Sequence, residues 1–117
     1  MLSELLTQNE HDKDLNHLEY DEETLLFLRA KLDEFTIEVF RKVIKENKVH
    51  KGLVKTRLEN FHGMRKRYDA AFLMLEAQGF IYKVEDGTAT PYFATVRGKQ
   101  LAHLLHEEKL RKEHIND

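Results

Sequence analysis

The 117-residue sequence predicts a mainly α-helical fold with one small β-hairpin. Three observations carry this expectation. Apolar residues recur three and four apart in several separate stretches, one later stretch changes toward strict alternation around an Asp-Gly pair, and one proline and five glycines punctuate the chain sparsely. A charged fraction of 34% beside a hydrophobic fraction of 41% describes a well-solvated chain with much helix surface.

The first helix is expected from about Asp21 to Leu32. Glu22 and Glu23 suit the positive end of a helix dipole, and Leu25, Leu28 and Leu32 follow at helical spacing. A second helix follows from Ile37, Phe40, Val43 and Ile44, with Thr36 as candidate cap and Asn47 as candidate stop. Val54 and Leu58, one turn apart, predict a short helix, and Asn60-Phe-His-Gly63 predicts a turn after it. From Met64 the residues Tyr68, Ala71, Phe72 and Leu75 continue one apolar stripe, and Gly79 stands where a left-handed cap would end that third helix. Phe80 to Glu85 and Thr88 to Thr95 then read as strands joined at Asp86-Gly87, because the favoured two-residue hairpin turn needs positive φ at both central positions. Pro91 restricts the second run to a sheet edge at that point. Thr95 can cap a last helix whose stripe is Leu101, Leu104 and Leu105 and whose end carries Lys109, Arg111 and Lys112.

Charge is distributed unevenly along this order. Residues 1–38 hold 3 Lys and Arg against 11 Asp and Glu, residues 39–83 hold 11 against 4, and residues 84–117 hold 5 against 6. A basic stretch that folds onto one face attracts a polyanion whatever the whole-chain charge of −2, because screening leaves the local field dominant at contact range. An ordinary solvated helix surface accounts for the same count. The third helix opens on Arg65-Lys66-Arg67, where cations oppose the helix dipole, an arrangement better suited to an incoming phosphate than to helix stability.

Other chemistries lack their residues. The chain has no cysteine, so no disulfide, thiolate metal site or cysteine nucleophile is expected. His103 and His106 share a helix face without a third ligand at metal-site spacing, and no Gly-rich phosphate loop or Gly-x-Ser-x-Gly elbow occurs. No enzyme activity, catalytic residue, cofactor or metal is expected. The absence of a basic, apolar leader or a long apolar run predicts a cytoplasmic protein without membrane contact.

The span Gly52 to Gln78, the Leu75-Glu-Ala-Gln-Gly-Phe-Ile81 step into the hairpin, and Phe93-Ala-Thr95-Val-Arg-Gly98-Lys-Gln-Leu101 closing it resemble the winged helix-turn-helix superfamily, in particular the small MarR-like and PadR-like regulators. The resemblance implies a winged helix over residues 33–106 with extra N-terminal and C-terminal helices. Residues 1–32 then form an acidic helical extension serving packing or dimerisation, and 107–117 a helix end and tail. It further implies a third helix in the major groove of double-stranded DNA, with the preceding segment on the phosphates and the hairpin beside them. Carried onto this chain, Arg65 and Lys66 become base-edge candidates beside Arg67, Lys51, Lys55 and Arg57 phosphate contacts, and Lys83, Thr88 and Thr90 wing contacts. Glu85 and Asp86 at the wing tip stand where many winged-helix proteins carry arginine, and Asp69 faces away from the apolar stripe of the third helix. Leu2, Leu5, Leu6, Leu104, Leu105 and Leu110 are candidates for a homodimer interface; packing of the two terminal helices within one chain is the other use for them. The expected function is a dimeric transcriptional regulator or plasmid- or phage-type accessory factor. A winged-helix adaptor binding another protein through Leu73, Ala70 and Ala77 is the alternative.

Overall fold

Helix α1 spans Glu22–Arg29 and is capped by Asp21, whose Oδ1 accepts from the Thr24 N–H at 2.8 Å. In the computed structural model, which describes residues 15–85 and 87–116, this helix stops short of the expected Leu32. The Lys31 and Leu32 N–H groups close tighter turns onto Leu28 and Arg29, which frees Asp33 to cap the next helix.

Helix α2, Glu34–Lys48, starts on Asp33, whose Oδ1 accepts from the Thr36 N–H at 2.8 Å. Asp33 therefore fills the role expected of Thr36, which is buried within the first turn. The helix buries Ile37, Val39, Phe40 and Val43. Asn47 does not stop it. The backbone turns instead at His50, which adopts a left-handed φ of 61°, and the Lys51 and His50 N–H groups return to Glu46 and Asn47 carbonyls as a Schellman closure. The Asn47 side chain clips this corner to the hairpin, donating to the Lys51 carbonyl at 2.8 Å and accepting from the Ala94 N–H at 2.8 Å.

Leu53 exchanges backbone hydrogen bonds with Tyr92 as an isolated antiparallel bridge. The short helix expected around Val54 and Leu58 is a single 3-10 turn, Lys55–Arg57. The chain then turns through Asn60, at φ 53°, into helix α3, Arg65–Ala77, which buries the expected stripe Tyr68, Ala71, Phe72 and Leu75. Gly79, at φ 80°, ends it, with the Gly79 N–H on the Glu76 carbonyl and the Phe80 N–H on the Leu75 carbonyl. Phe80 and Leu75, which meet across this closure, are both completely buried.

Strands β1, Ile81–Lys83, and β2, Tyr92–Ala94, pair antiparallel in the register Ile81 with Ala94, Tyr82 with Phe93 and Lys83 with Tyr92. Beyond these pairs the Val84 N–H donates to the Pro91 carbonyl at 3.0 Å, so the ladder continues in the same register, which centres on the turn residues Gly87 and Thr88, one residue past the expected Asp86-Gly87. Gly87 has the positive φ expected of it, 63°, and Asp86 lies outside the described residues. Helix α4, Val96–Asn116, begins at Thr95, whose hydroxyl accepts from the Gly98 N–H at 3.0 Å and donates to the Gly79 carbonyl at 2.6 Å. Gly98 is required here by close approach: a methyl group would collide with the Phe80 carbonyl.

One core joins these parts. Phe40 from α2, Phe72 from α3, Phe80 before β1 and Leu101 from α4 meet with no exposed surface. The result is a mainly helical architecture with a two-stranded antiparallel hairpin. Arg29 ties α1 to α4 through a forked pair with Glu108 at 3.0–3.2 Å. Arg97 and Gln100 hold the segment before α1 against the start of α4 through the Leu15, Leu18 and Tyr20 backbone. Among the described residues no helix is long and apolar enough to cross a membrane.

Candidate nucleic-acid interface

The N-terminal end of α3 and the hairpin connection form the walls of a cleft of about 450 Å³. Lys55, Arg65, Lys83, Thr88 and Thr90 line it, so five of the nine residues expected to touch DNA converge although they come from three parts of the chain. The convergence follows from the Leu53–Tyr92 bridge, which draws the residues before the 3-10 turn onto β2, and from the turn at Asn60, which delivers α3 beside both.

The cleft also contains acids. Asp69 and Glu85 stand opposite Lys55, Arg65 and Lys83, leaving a modest positive excess. Lys55 Nζ donates to Asp69 Oδ1 at 3.2 Å and lies 5.2 Å and 5.5 Å from the Phe72 and Tyr92 ring centres. Burial by itself pulls the Lys55 pKa down. The hydrogen bond to Asp69, the neighbouring Tyr92 and the Asp69 charge outweigh that pull, and the net shift is upward. Lys55 is therefore a charged strut under the cleft, with one of its three donors engaged by Asp69.

Arg65 is far more open, with 70% of its side chain exposed, and its Nε lies 3.7 Å from Asp69 Oδ2. Lys66 is exposed beside it. Arg67 turns away from the cleft and stacks its guanidinium 4.0 Å above the Phe35 ring at the start of α2. Arg57 lines a separate groove with Lys42 and Lys45, and Lys51 is exposed just beyond α2. His62 and Thr56 line the same cleft as Arg65 and are missed by sequence reasoning. The signal available for His62 is its place in the turn that leads directly into the basic start of α3.

The leucines expected at a dimer interface fall into three groups. Leu2, Leu5 and Leu6 lie outside the described residues. Leu105 is buried in the core and Leu104 packs against it, which leaves them little surface for a second copy. Leu110 is exposed. On the outer face of α3, Leu73 is 68% exposed, with Met74, Ala70 and Ala77 also exposed beside it. His103 pairs with Glu107 at 2.9 Å, and among the described residues no three His, Cys, Asp or Glu side chains form a group able to hold a metal ion.

No family model, curated protein or solved structure matches this chain.

Proposed function

We propose that this chain is a winged-helix DNA-binding protein, a cytoplasmic regulator or accessory factor that acts as a homodimer and lays α3 in the major groove. The observation that carries the reading is the cleft in which Lys55, Arg65, Lys83, Thr88 and Thr90 meet at the start of α3. The free backbone N–H groups of the first turn add partial positive charge there, and Met64 supplies no side-chain cap to satisfy them. Lys66 projects from the same turn, and in this reading the hairpin contacts the neighbouring phosphates. Two copies paired through surfaces that include Leu110 would present two α3 helices to half-sites about one DNA turn apart.

Fluorescence anisotropy on a mixed-sequence duplex over a salt series tests this directly. The four cations Lys55, Arg65, Lys66 and Lys83 predict a log–log salt slope between about −3 and −4. Arg65→Ala/Lys66→Ala should weaken binding by about tenfold or more and make the slope shallower by about one to two. A wild-type chain without affinity at low salt would remove the DNA reading. It would favour the adaptor alternative, for which the exposed Leu73 and Met74 are the supporting observation.

A further inference from the structure

We propose that Asp69 is a positioning residue that aims Arg65 at the edge of a guanine in the major groove. The inference rests on the DNA-binding reading and adds to it the base that is read.

Asp69 is an acid on the outward side of the helix assigned to a polyanion, and it is only half-covered, with 46% of its side chain exposed. Repulsion from phosphate gives it no use as a general contact. Helix stability does not account for it either. An exposed pair one turn apart contributes little, and here the cation precedes the acid, the less favourable order relative to the dipole.

Its two oxygens have different partners. Oδ1 accepts from Lys55 Nζ at 3.2 Å, and Lys55 is itself anchored over the Phe72 and Tyr92 rings. Oδ2 faces Arg65 Nε at 3.7 Å, within ion-pair range and longer than a hydrogen bond. The carboxylate is thus fixed from below by a cation tied to the core and presents its second oxygen to the inner edge of the Arg65 guanidinium.

A guanidinium has five N–H donors in one rigid plane. Engaging Nε leaves the two terminal nitrogens as a fork pointing away from Asp69. Guanine offers N7 and O6 as a matching pair of acceptors, whereas adenine places an amino donor beside N7 and would repel one arm of the fork. An arginine this exposed, without a neighbour to orient it, would follow phosphates and contribute charge without sequence preference.

The test begins with selection of duplexes bound by the full chain from a randomised pool. Competition anisotropy then compares the selected site with versions in which each guanine is replaced by another base or by 7-deazaguanine. Wild type should prefer guanine at one position per half-site by about tenfold to a hundredfold, and 7-deazaguanine should forfeit much of that preference. Asp69→Asn should reduce the preference to about threefold or less while binding to mixed-sequence duplex stays equal or strengthens, since a charge repelling phosphate is gone. Arg65→Lys keeps the charge and loses the fork; it should likewise abolish the preference and retain salt-dependent binding. Lys66→Ala should weaken all duplexes alike and leave the preference intact. Thermal melting confirms that each variant is folded.

Wild-type preference retained in Asp69→Asn or in Arg65→Lys overturns the inference alone, as does salt-dependent binding without any guanine preference in wild type. A preference for cytosine that Asp69→Asn abolishes would make Asp69 a direct base contact and overturn its positioning role. Absence of salt-dependent binding in wild type removes the DNA reading, and this inference with it.

Discussion

Helices α2 and α3 pack against one another and are electrically opposite. In α2, Asp33 caps the start, Glu34 lies in the first turn, and Lys45 and Lys48 outnumber Glu46 in the last, so the charge at both ends agrees on balance with the dipole. In α3 no side chain caps the start, Arg65, Lys66 and Arg67 crowd the first turn, and no basic residue lies in the last. Their C-terminal ends are alike, both closed by a left-handed residue, His50 or Gly79. The contrast therefore lies in the charges at the ends and is sharpest at the N-termini, not in how the backbone closes. Each cation at the start of α3 opposes the dipole by about 0.3–1 kcal/mol, whereas burying one side chain such as Phe72 contributes about 1.5–3 kcal/mol. Tertiary packing decides that α3 exists, and local electrostatics are free to serve the surface.

That difference can be attacked first at the packing. Phe72→Ala should destabilise the chain by about 3–5 kcal/mol in urea unfolding, because Phe72 is completely buried and its loss leaves a cavity against Tyr92. A cost of about 0.5 kcal/mol or less, the range of surface changes, would mean that something other than this stripe holds α3. Lys66→Glu approaches the same contrast from the opposite side. It should raise stability by about 0.3–1 kcal/mol by agreeing with the dipole, while DNA affinity falls. A variant that loses stability together with affinity would show that Lys66 holds the fold.

A third test concerns the caps that α1 and α2 have and α3 lacks. Hydrogen bonds from the Thr36 side chain and backbone hold the Asp33 carboxyl below its usual value of 3.8, and Thr24 does the same for Asp21. A carboxyl whose pKa is lower in the folded state contributes stability that is fully present above the unfolded value and is lost as pH falls through the folded one. Asp33→Ala should therefore melt at a lower temperature than wild type at neutral pH, with the gap narrowing below about pH 3.8. A gap that persists unchanged in acid would show that Asp33 acts through something other than its charge.

Features with a local cause are legible in the order of residues alone. Asp21 with two following glutamates marks the start of α1, Gly79 marks the left-handed end of α3, Thr95 marks the cap of α4, and the spacing from Tyr68 to Leu75 marks the buried face of α3. Each depends on residues within one or two turns. The cap of α2 is also local, but two signals compete for it: Asp33, three residues ahead of Thr36, takes the Thr36 N–H group and displaces Thr36 from the role that its residue type suggests.

The hairpin register is beyond local reasoning. Asp-Gly favours a turn centred on Asp86 and Gly87, yet the strands pair in a register centred one residue later, and the Leu53–Tyr92 bridge and the Asn47 side chain hold β2 from residues about 40 positions away. The candidate site divides in the same way. The basic run at the start of α3 can be read directly, whereas the stacking of Arg67 on Phe35, the pinning of Lys55 by Asp69 and the burial of Leu105 depend on neighbours distant in the chain. Where helices begin, which face each buries and where positive charge is concentrated are properties of the sequence, because periodicity, caps and dipoles act over a few residues. Which cations remain free at the cleft and which leucines stay exposed are settled by the packed chain, because burial and ion pairing depend on what lies alongside.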